Sequence, residues 1–265
     1  MFVVIKGAGD LASGIAVRLS HCGFSIVMTD LEKPTSIRRT VCFSEAIGNG
    51  TFRVEDVTAR YAAAIDAVPE ILASGDIAVL IDPNAECIAA LQPDAVVDAI
   101  LAKRNLGTTI DDAPIVVGVG PGFTAGVDCH AVVETQRGHN LGRVITNGTA
   151  APNSGIPGNI SGFTTERILR SPTNGIFVEI HHIGDTVGKG EIVAEVNGQP
   201  ITAQIKGTIR GLLPTGTIVT EGMKSGDIDP RCVLDNCYTV SDKARAVGGG
   251  VLEAVLMQQR KNLHV

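Results

Sequence analysis

The chain has 265 residues, of which 44% are hydrophobic and 19% charged, with 31 glycines, no tryptophan and a net charge of −6. A chain of this length buries roughly 70–75% of its unfolded surface, so a core that needs no covalent staples is expected. The acidic balance and 3% aromatic content argue against a basic duplex-DNA face and a stacking platform for single strands, and no apolar run reaches the roughly 18 residues of a membrane span.

The start, "MFVVIKGAGD", has too short an apolar run for a signal peptide, and no cleavage site follows it. A cytoplasmic location is therefore expected. Cys22, Cys42, Cys87, Cys129, Cys232 and Cys237 form no CxxC pair, so they read as reduced thiols and not as a zinc ribbon.

In chain order, "FVVIKGAGDLASGIAVRL" reads as a strand, a glycine turn and a helix, with Leu11, Ile15 and Leu19 at helical spacing. "GFSIVMTD" is a second strand that ends at Asp30. Further apolar strands are read over Asp76–Pro83, Asp94–Ile100 and Ala113–Gly120, with a short helix over Glu86–Leu91. Continuous apolar strands separated by helical pieces predict a Rossmann-like α/β domain built on a mostly parallel sheet, assigned to residues 1–170.

From Ser171 the strands shorten and turns multiply. Asn197-Gly198 signals a hairpin. "GDTVGKGEIV" is echoed by "GTIVTEGMKSGDI", which predicts a small β-module of two related halves over 171–231. Its turns resemble those of biotinyl/lipoyl barrel-sandwich modules, but the comparable tip, "VNGQPI", has no lysine to modify. Residues 232–265 are assigned to a helix capped near Ser241 that packs back on the first domain. Gly248, Gly249 and Gly250 cost that helix roughly 1 kcal/mol each relative to Ala, and close backbone packing would explain them.

Gly7, Gly9 and Ala12 form G-x-G-x-x-A between a strand and a helix, where backbone N–H groups can approach a pyrophosphate. Asp30 follows at the place of a ribose-binding acid. Asp10 suits the helix dipole but opposes a phosphate. Arg38 and Arg39 offer guanidinium forks or an ordinary solvated pair. Lys103, Arg104 and Asn105 lie just past a strand's carboxyl end, where ligands of open α/β sheets bind. "GPGFTAG" follows another strand, so Gly120, Gly122 and Thr124 are read as an anion-binding nest. Arg137, His139, Asn140 and Arg143 would complete a pocket for a small anionic ligand. His181 and His182 point to opposite faces if extended, and Cys232 with Cys237 is too little for a metal, so no metal site is assigned. No nucleophile elbow, HExxH or Walker sequence occurs, and no catalytic residue is assigned.

The stretches "GAGDLASGIAVRL", "EKPTSIRRTVCFSEA", "PDAVVDAILAKRNLGT", "GPGFTAGVDCHAVVETQRGHNLGRVI" and "GLLPTGTIVTEGMKSGDIDPR" together resemble the YqeB-type selenium-dependent molybdenum hydroxylase accessory family. That resemblance implies a maturation role, a molybdenum hydroxylase apoenzyme as partner, and a molybdenum cofactor in pterin dinucleotide form as ligand. The glycine-loop domain is also similar to the Rossmann part of xanthine-dehydrogenase accessory proteins. The pyrophosphate would lie on Gly7–Ala12, and the pterin or metal-bearing end on Gly118–Gly126 with Arg137, His139, Asn140 and Arg143. Two alternatives stay open: an NAD(P)-dependent oxidoreductase using Asp30, and a non-enzymatic scaffold that docks the hydroxylase through the β-module. Homo-oligomerisation is open as well.

Overall fold

A computed structural model describes residues 1–263. Two compact units share the chain. The first comprises Met1–Pro34, Cys42–Asn153 and the chain from Val240 on; the second comprises Thr35–Val41 and Ser154–Thr239. The divisions therefore fall earlier than 170/171 and later than 231/232. The reason is local: Ile168–Arg170 pairs with a strand at Lys224–Asp229, so it belongs with the β-rich unit.

In the first unit the elements run β1 (Phe2–Lys6), α1 (Asp10–Ser20), β2 (Ser25–Asp30), α2 (Glu45–Asn49), β3 (Thr51–Val54), β4 (Val57–Ala62), α3 (Val68–Ala73), β5 (Ile77–Ile81), α4 (Cys87–Leu91), β6 (Ala95–Asp98), β7 (Ile115–Val119), β8 (Thr124–Ala125), β9 (Ala131–Val133), β10 (Val144–Ile145) and β11 (Gly148–Thr149). The chain returns to it as α5 (Asp242–Asn262). A nine-stranded sheet has the order β10-β9-β7-β6-β1-β2-β5-β4-β3. The outermost strands β10 and β3 pair antiparallel, and all other neighbours are parallel. This is a large, mostly parallel α/β sheet. The β3–β4 hairpin at its edge has no counterpart in the sequence reading, although "TFRVEDVTARYA" alternates apolar and polar residues as an edge pair does.

Alternation of side chains along each strand divides the core. Val4, Val27, Ala78, Val96 and Val116 face one way and meet Ile71, Leu72, Ile88 and Leu91 of α3 and α4. The opposite face carries α1 against β1 and β2, and α5 against β7 and β9. At β1 the sheet grows in both directions, to β2 on one side and β6 on the other. The carboxyl ends of β1 and β6 thus flank a topological switch point, where open α/β sheets bind ligands.

Helices α1 and α5 pack side by side and parallel. A Cβ on Gly14 would lie 2.6 Å from the Cβ of Ala244, and one on Gly248 would lie 3.1 Å from Gly14 O and 3.2 Å from the Arg18 Cβ. Gly14 thus meets Ala244, and Arg18 one turn later meets Gly248, so both amino ends lie at the same end of the pair. Gly250 closes on Gly142 O, whereas Gly249 faces open space. Two glycines of the triplet therefore have the expected packing reason, and the third has none. Ser241 caps α5, its Oγ accepting from Ala244 N at 3.1 Å.

The second unit holds β12 (Ile168–Arg170), β13 (Gly175–Glu179), β14 (Thr186–Val187), β15 (Ile192–Val196), β16 (Gln199–Thr202), β17 (Gly207–Leu212), β18 (Ile218–Val219) and β19 (Lys224–Asp229). They form two four-stranded antiparallel sheets, β12-β19-β17-β14 and β16-β15-β13-β18. Phe177, Val193, Ile209, Leu212 and Ile228 share its core. The repeat in the sequence maps onto β14–β15 and β18–β19, and with β13 and β17 before them the unit has two halves. Each half gives its short middle strand to the other, β14 pairing with β17 and β18 with β13. Asn197 and Gly198 have φ of 50° and 76° between paired Val196 and Gln199, the turn expected there.

Candidate ligand site at the carboxyl edge of the sheet

The glycine turn after β1 is held largely by its own neighbours. Gly7 has φ 96°, and a Cβ there would sit 3.1 Å from Ala99 O, so the position requires glycine. Gly7 N–H donates to Thr29 O at 2.9 Å, and Ala8 N–H donates to Asp30 Oδ2 at 2.9 Å. Ala8 O accepts from Ser44 N and from the Ser13 hydroxyl, both at 3.1 Å. Gly9 is the N-cap of α1 and supplies no side-chain cap, and Ala12 is buried within the first turn. The amino end of α1 therefore presents backbone donors without a side-chain acceptor.

Asp30 also accepts Leu31 N–H at 2.7 Å. Its carboxyl pKa is raised, because burial outweighs the two backbone hydrogen bonds. Asp30 thus braces the glycine loop, with one lone pair per oxygen left for a ligand hydroxyl.

A buried charged group that the sequence reading missed lies at the switch point. Lys6 ends β1 and Asp98 ends β6, and they pair across the sheet. Lys6 Nζ donates to Thr108 Oγ1 at 2.6 Å, the Thr108 hydroxyl donates to Asp98 Oδ2 at 2.6 Å, and Lys6 Nζ lies 3.8 Å from that oxygen. All three residues are almost wholly buried. The signal was available: Lys6 and Asp98 are charges that each terminate an apolar run.

The loop after β6 stands over this group. Leu101 and Lys103 adopt φ of 61° and 64°, at a cost on the order of 1 kcal/mol each or more. Asn105 holds the loop together, accepting from Gly107 N and Thr108 N and donating to Thr108 O. Its side chain is thus committed to the loop and does not serve the ligand as expected. Lys103 keeps solvent access, yet desolvation lowers its pKa.

The expected nest over 118–126 closes on protein. Gly120 N–H donates to Val133 O, and Thr124 N–H donates to Asp128 Oδ2 at 2.7 Å. At Gly122 a Cβ would lie 2.7 Å from the Arg104 Cα, so its smallness admits the neighbouring loop. These residues shape the edge and do not offer a ring of amides.

Arg137 forms a bidentate pair with Asp242, at 2.6 and 2.9 Å. His139 is exposed, and the Arg143 guanidinium reaches Asn140 Oδ1 at 3.3 Å. Asn140 and Arg143 line an open polar cleft of about 450 Å³ with Glu134, Thr146, Asn147 and Thr149. Glu134 follows β9 at the same edge; its two oxygens accept Gln136 N at 2.6 Å and Ala151 N at 2.7 Å. Lys243, in the first turn of α5, is the second residue missed. Burial lowers its pKa, and so do the charges of Lys103 and Arg137, while Asp10 and Glu134 act in the opposite sense. Lys103, Arg137, Glu134, Asp10 and Lys243 thus share one electrostatic neighbourhood. Ser44 is a third: its hydroxyl is buried, without a hydrogen-bond partner among the described residues, while its N–H meets Ala8 O.

Arg38 does not join this site. It is buried in the second unit, where it donates to Asn236 O at 3.0 Å and Thr239 O at 3.2 Å. Arg39 there binds Leu212 O and Glu179 Oε2. The pair is neither an anion fork nor a solvated face: both guanidiniums tie down backbone and acid within the β-unit. His181 meets Asp185 and Glu191 while His182 meets Glu179. No group of three or more His, Cys, Asp or Glu side chains suited to a metal ion occurs among the described residues.

Over 255 residues the chain is 51% identical to "Uncharacterized protein YqeB" of Escherichia coli (strain K12), an alignment covering 96% of this chain and 47% of that protein. The chain is a YqeB relative. It spans about half the length of YqeB. No family model matches the chain. Among solved structures, an aspartoacylase family protein from Mesorhizobium loti aligns with TM-score 0.30 and 11% identity, covering 86% of this chain and 84% of the other. A succinylglutamate desuccinylase/aspartoacylase from Rhodobacter sphaeroides aligns with TM-score 0.29 and 14% identity, at the same coverages. At those scores neither likeness carries an argument about this chain. No helix among the described residues is long and apolar enough to cross a membrane.

Proposed function

We propose that the chain is an accessory protein in the maturation of a selenium-dependent molybdenum hydroxylase, binding a molybdenum cofactor of pterin dinucleotide type at the carboxyl edge of its parallel sheet. The observation that carries this reading is the uncapped amino end of α1 at the switch point, with Lys103 in the loop after β6, Lys243 in the first turn of the parallel helix α5, and a polar cleft farther along the same edge. These residues fit a ligand with a pyrophosphate and a hydrogen-bonding ring. The turn after β1 and Glu134 after β9 are separated by three strand steps, β1 to β6 to β7 to β9, or about 14 Å. One extended ligand of that length reaches from the lysines to Asn140 and Arg143. Asp30 would meet a ribose hydroxyl, and Ser44 a ligand or water oxygen.

The β-unit resembles a barrel-sandwich module in its exchanged short strands, and it is the part we assign to docking the hydroxylase apoenzyme. NAD(P) is the second reading, favoured only by Asp30. Asp30 would meet a ribose hydroxyl of either dinucleotide, so it does not separate the two readings.

Thermal shift under anaerobic conditions tests this, with molybdenum cofactor, its dinucleotide form, NAD(H), NADP(H) and CTP as ligands. A ligand held at 100 times its Kd adds about 2.7 kcal/mol of stability. Selective stabilisation by the pterin dinucleotide is expected. Selective stabilisation by a nicotinamide cofactor moves the reading to a redox enzyme, and no shift with any of them leaves the docking role alone.

A further inference from the structure

Glu134 and Arg143 are direct cross-strand neighbours. The register of β9 on β10 pairs Val132 with Ile145 and Val133 with Val144, and one step on Glu134 N–H donates to Arg143 O at 3.0 Å. Residues opposite each other in an antiparallel pair project from one face, with Cβ atoms about 5 Å apart. Both side chains line the same cleft of about 450 Å³, which lies wholly within the first unit. Yet the acid and the base do not close on each other. The carboxylate of Glu134, a residue only 5% exposed, accepts Gln136 N–H at 2.6 Å and Ala151 N–H at 2.7 Å, one on each oxygen. The Arg143 guanidinium turns instead to Asn140 Oδ1 at 3.3 Å, and Arg143 N–H donates to Asn140 O at 2.9 Å. Each group keeps capacity in reserve. One lone pair remains on each Glu134 oxygen, and most of the five guanidinium N–H groups of Arg143 have no partner among the described residues.

The cleft therefore presents a pair of acceptors beside a fork of donors, fixed by backbone contacts and held apart. A simple anion there meets Arg143 but is opposed by Glu134, and a simple cation meets the reverse. A neutral planar ring with two adjacent N–H groups and a carbonyl next to them satisfies both at once. The 2-amino-4-oxo-pyrimidine ring shared by guanine and pterins carries that edge: amino N–H, ring N–H and keto oxygen in a row. We infer that Glu134 and Arg143 select this edge, the carboxylate accepting from the amino and ring N–H groups and the guanidinium donating to the keto oxygen. The half-buried Val144 and Ile145 supply apolar surface to the same cleft. The inference rests on the ligand site proposed above and names the two residues that choose its ring. Glu134 is then the specificity-determining residue, because a site built to accept an N–H group is left with an unsatisfied buried acceptor by a ring that lacks it.

Isothermal titration calorimetry of the full chain with guanosine, neopterin, inosine and adenosine tests this directly. Inosine differs from guanosine only in lacking the 2-amino group, so that comparison changes no protein atom. Guanosine or neopterin should bind, inosine about tenfold or more weaker than guanosine, and adenosine more weakly still. Glu134→Gln turns one acceptor into a donor and should weaken the favoured ligand about tenfold or more; Arg143→Gln should do the same from an exposed position, and circular dichroism melts check that each variant folds. Tighter binding of neopterin identifies a pterin as the source of the edge, and tighter binding of guanosine identifies a guanine nucleotide. Inosine binding as tightly as guanosine, no binding of either guanosine or neopterin, or unchanged affinity in both variants overturns the inference. Guanosine binding that depends on Glu134 and Arg143, with no response to the pterin dinucleotide, keeps it and removes the proposed function. Pterin dinucleotide binding at parental affinity in both variants does the reverse.

Discussion

Asp98 is held at the switch point by the Thr108 hydroxyl, the Lys6 ammonium group and the Ile100 N–H, and Asp98, Thr108 and Lys6 are all buried. Asp98→Ala leaves Lys6 as an uncompensated buried cation, which costs about 3–5 kcal/mol; the urea midpoint should fall accordingly. Thr108→Val removes the bridging hydroxyl but leaves both charges, so a smaller loss of about 1–3 kcal/mol is expected in the same titration. If the two variants lose equally, the hydroxyl and not the charge pair is what matters there. Ser44 behaves differently, because its buried hydroxyl has no partner among the described residues. Ser44→Ala should leave the unliganded melting temperature unchanged or raised, since an unsatisfied buried hydroxyl costs about 1–3 kcal/mol. The same variant should reduce the ligand-induced shift. A lowered unliganded melting temperature would mean that a water already satisfies Ser44.

Packing of α1 on α5 sets a second scale, where glycines act by size. Gly14→Ala puts a Cβ 2.6 Å from that of Ala244, so overpacking should cost about 1–3 kcal/mol. Gly249→Ala meets nothing and should gain about 0.5–1 kcal/mol in helix propensity; opposite shifts in melting temperature are the expected outcome. The triplet Gly248–Gly250 showed in the sequence that some backbone comes close, but which glycines matter depends on partners distant in sequence, α1 for Gly248 and the turn at Gly142 for Gly250. The apolar runs of β1, β2, β5, β6 and β7 were legible because parallel strands buried on both faces need no polar alternation. The β3–β4 hairpin was not, because it carries a period-2 alternation in place of the continuous apolar run that marks the buried strands. In the site, the glycine turn and Asp30 were legible as a pattern, whereas Lys243 and Ser44 gain meaning only from neighbours distant in sequence. His130, just before β9, adds a pH dependence. Its Nδ1 accepts Val116 N–H of β7 at 2.9 Å, which needs a neutral ring, and burial and Lys261 lower its pKa. The folded pKa lies below the unfolded value of about 6.5, so the unfolded chain binds more protons between the two. Stability should therefore fall as pH drops from about 6.5 through the folded pKa. His130→Gln should flatten that part of a denaturation-versus-pH curve; an unchanged slope would assign it to other groups.

At the scale of the whole chain, the second unit is discontinuous. Residues 35–41 precede most of the first unit in sequence, but their hydrogen bonds lie within the β-unit. Leu212 N donates to Ile37 O at 2.7 Å, Arg39 reaches Leu212 O and Glu179, and Arg38 holds the carbonyls of Asn236 and Thr239. Gly211 packs so near this segment that a Cβ there would lie 2.9 Å from Ile37 O. The arginine pair in "PTSIRRTV" reads as an anion fork or an ordinary solvated pair, because a linear reading places it just after β2. It is instead the means by which an early segment closes a later β-unit, with Arg38 giving two charge-assisted hydrogen bonds to backbone oxygens of the Asn236–Thr239 turn. A fragment of residues 154–239 alone should therefore be much less stable than the same fragment joined to residues 35–41 through a flexible linker. Two or more charge-assisted hydrogen bonds at about 1.5–3 kcal/mol each are large against the 5–15 kcal/mol stability of a typical domain. Circular dichroism melts of the two fragments decide the matter. A cooperative transition at the higher temperature only in the joined fragment is expected, and Arg38→Ala in that fragment should reverse much of the gain, because the Asn236 and Thr239 carbonyls then lose the guanidinium nitrogen that donates to both. Equal melting of the two fragments would show that the β-unit folds on its two four-stranded sheets alone, with residues 35–41 merely laid upon it.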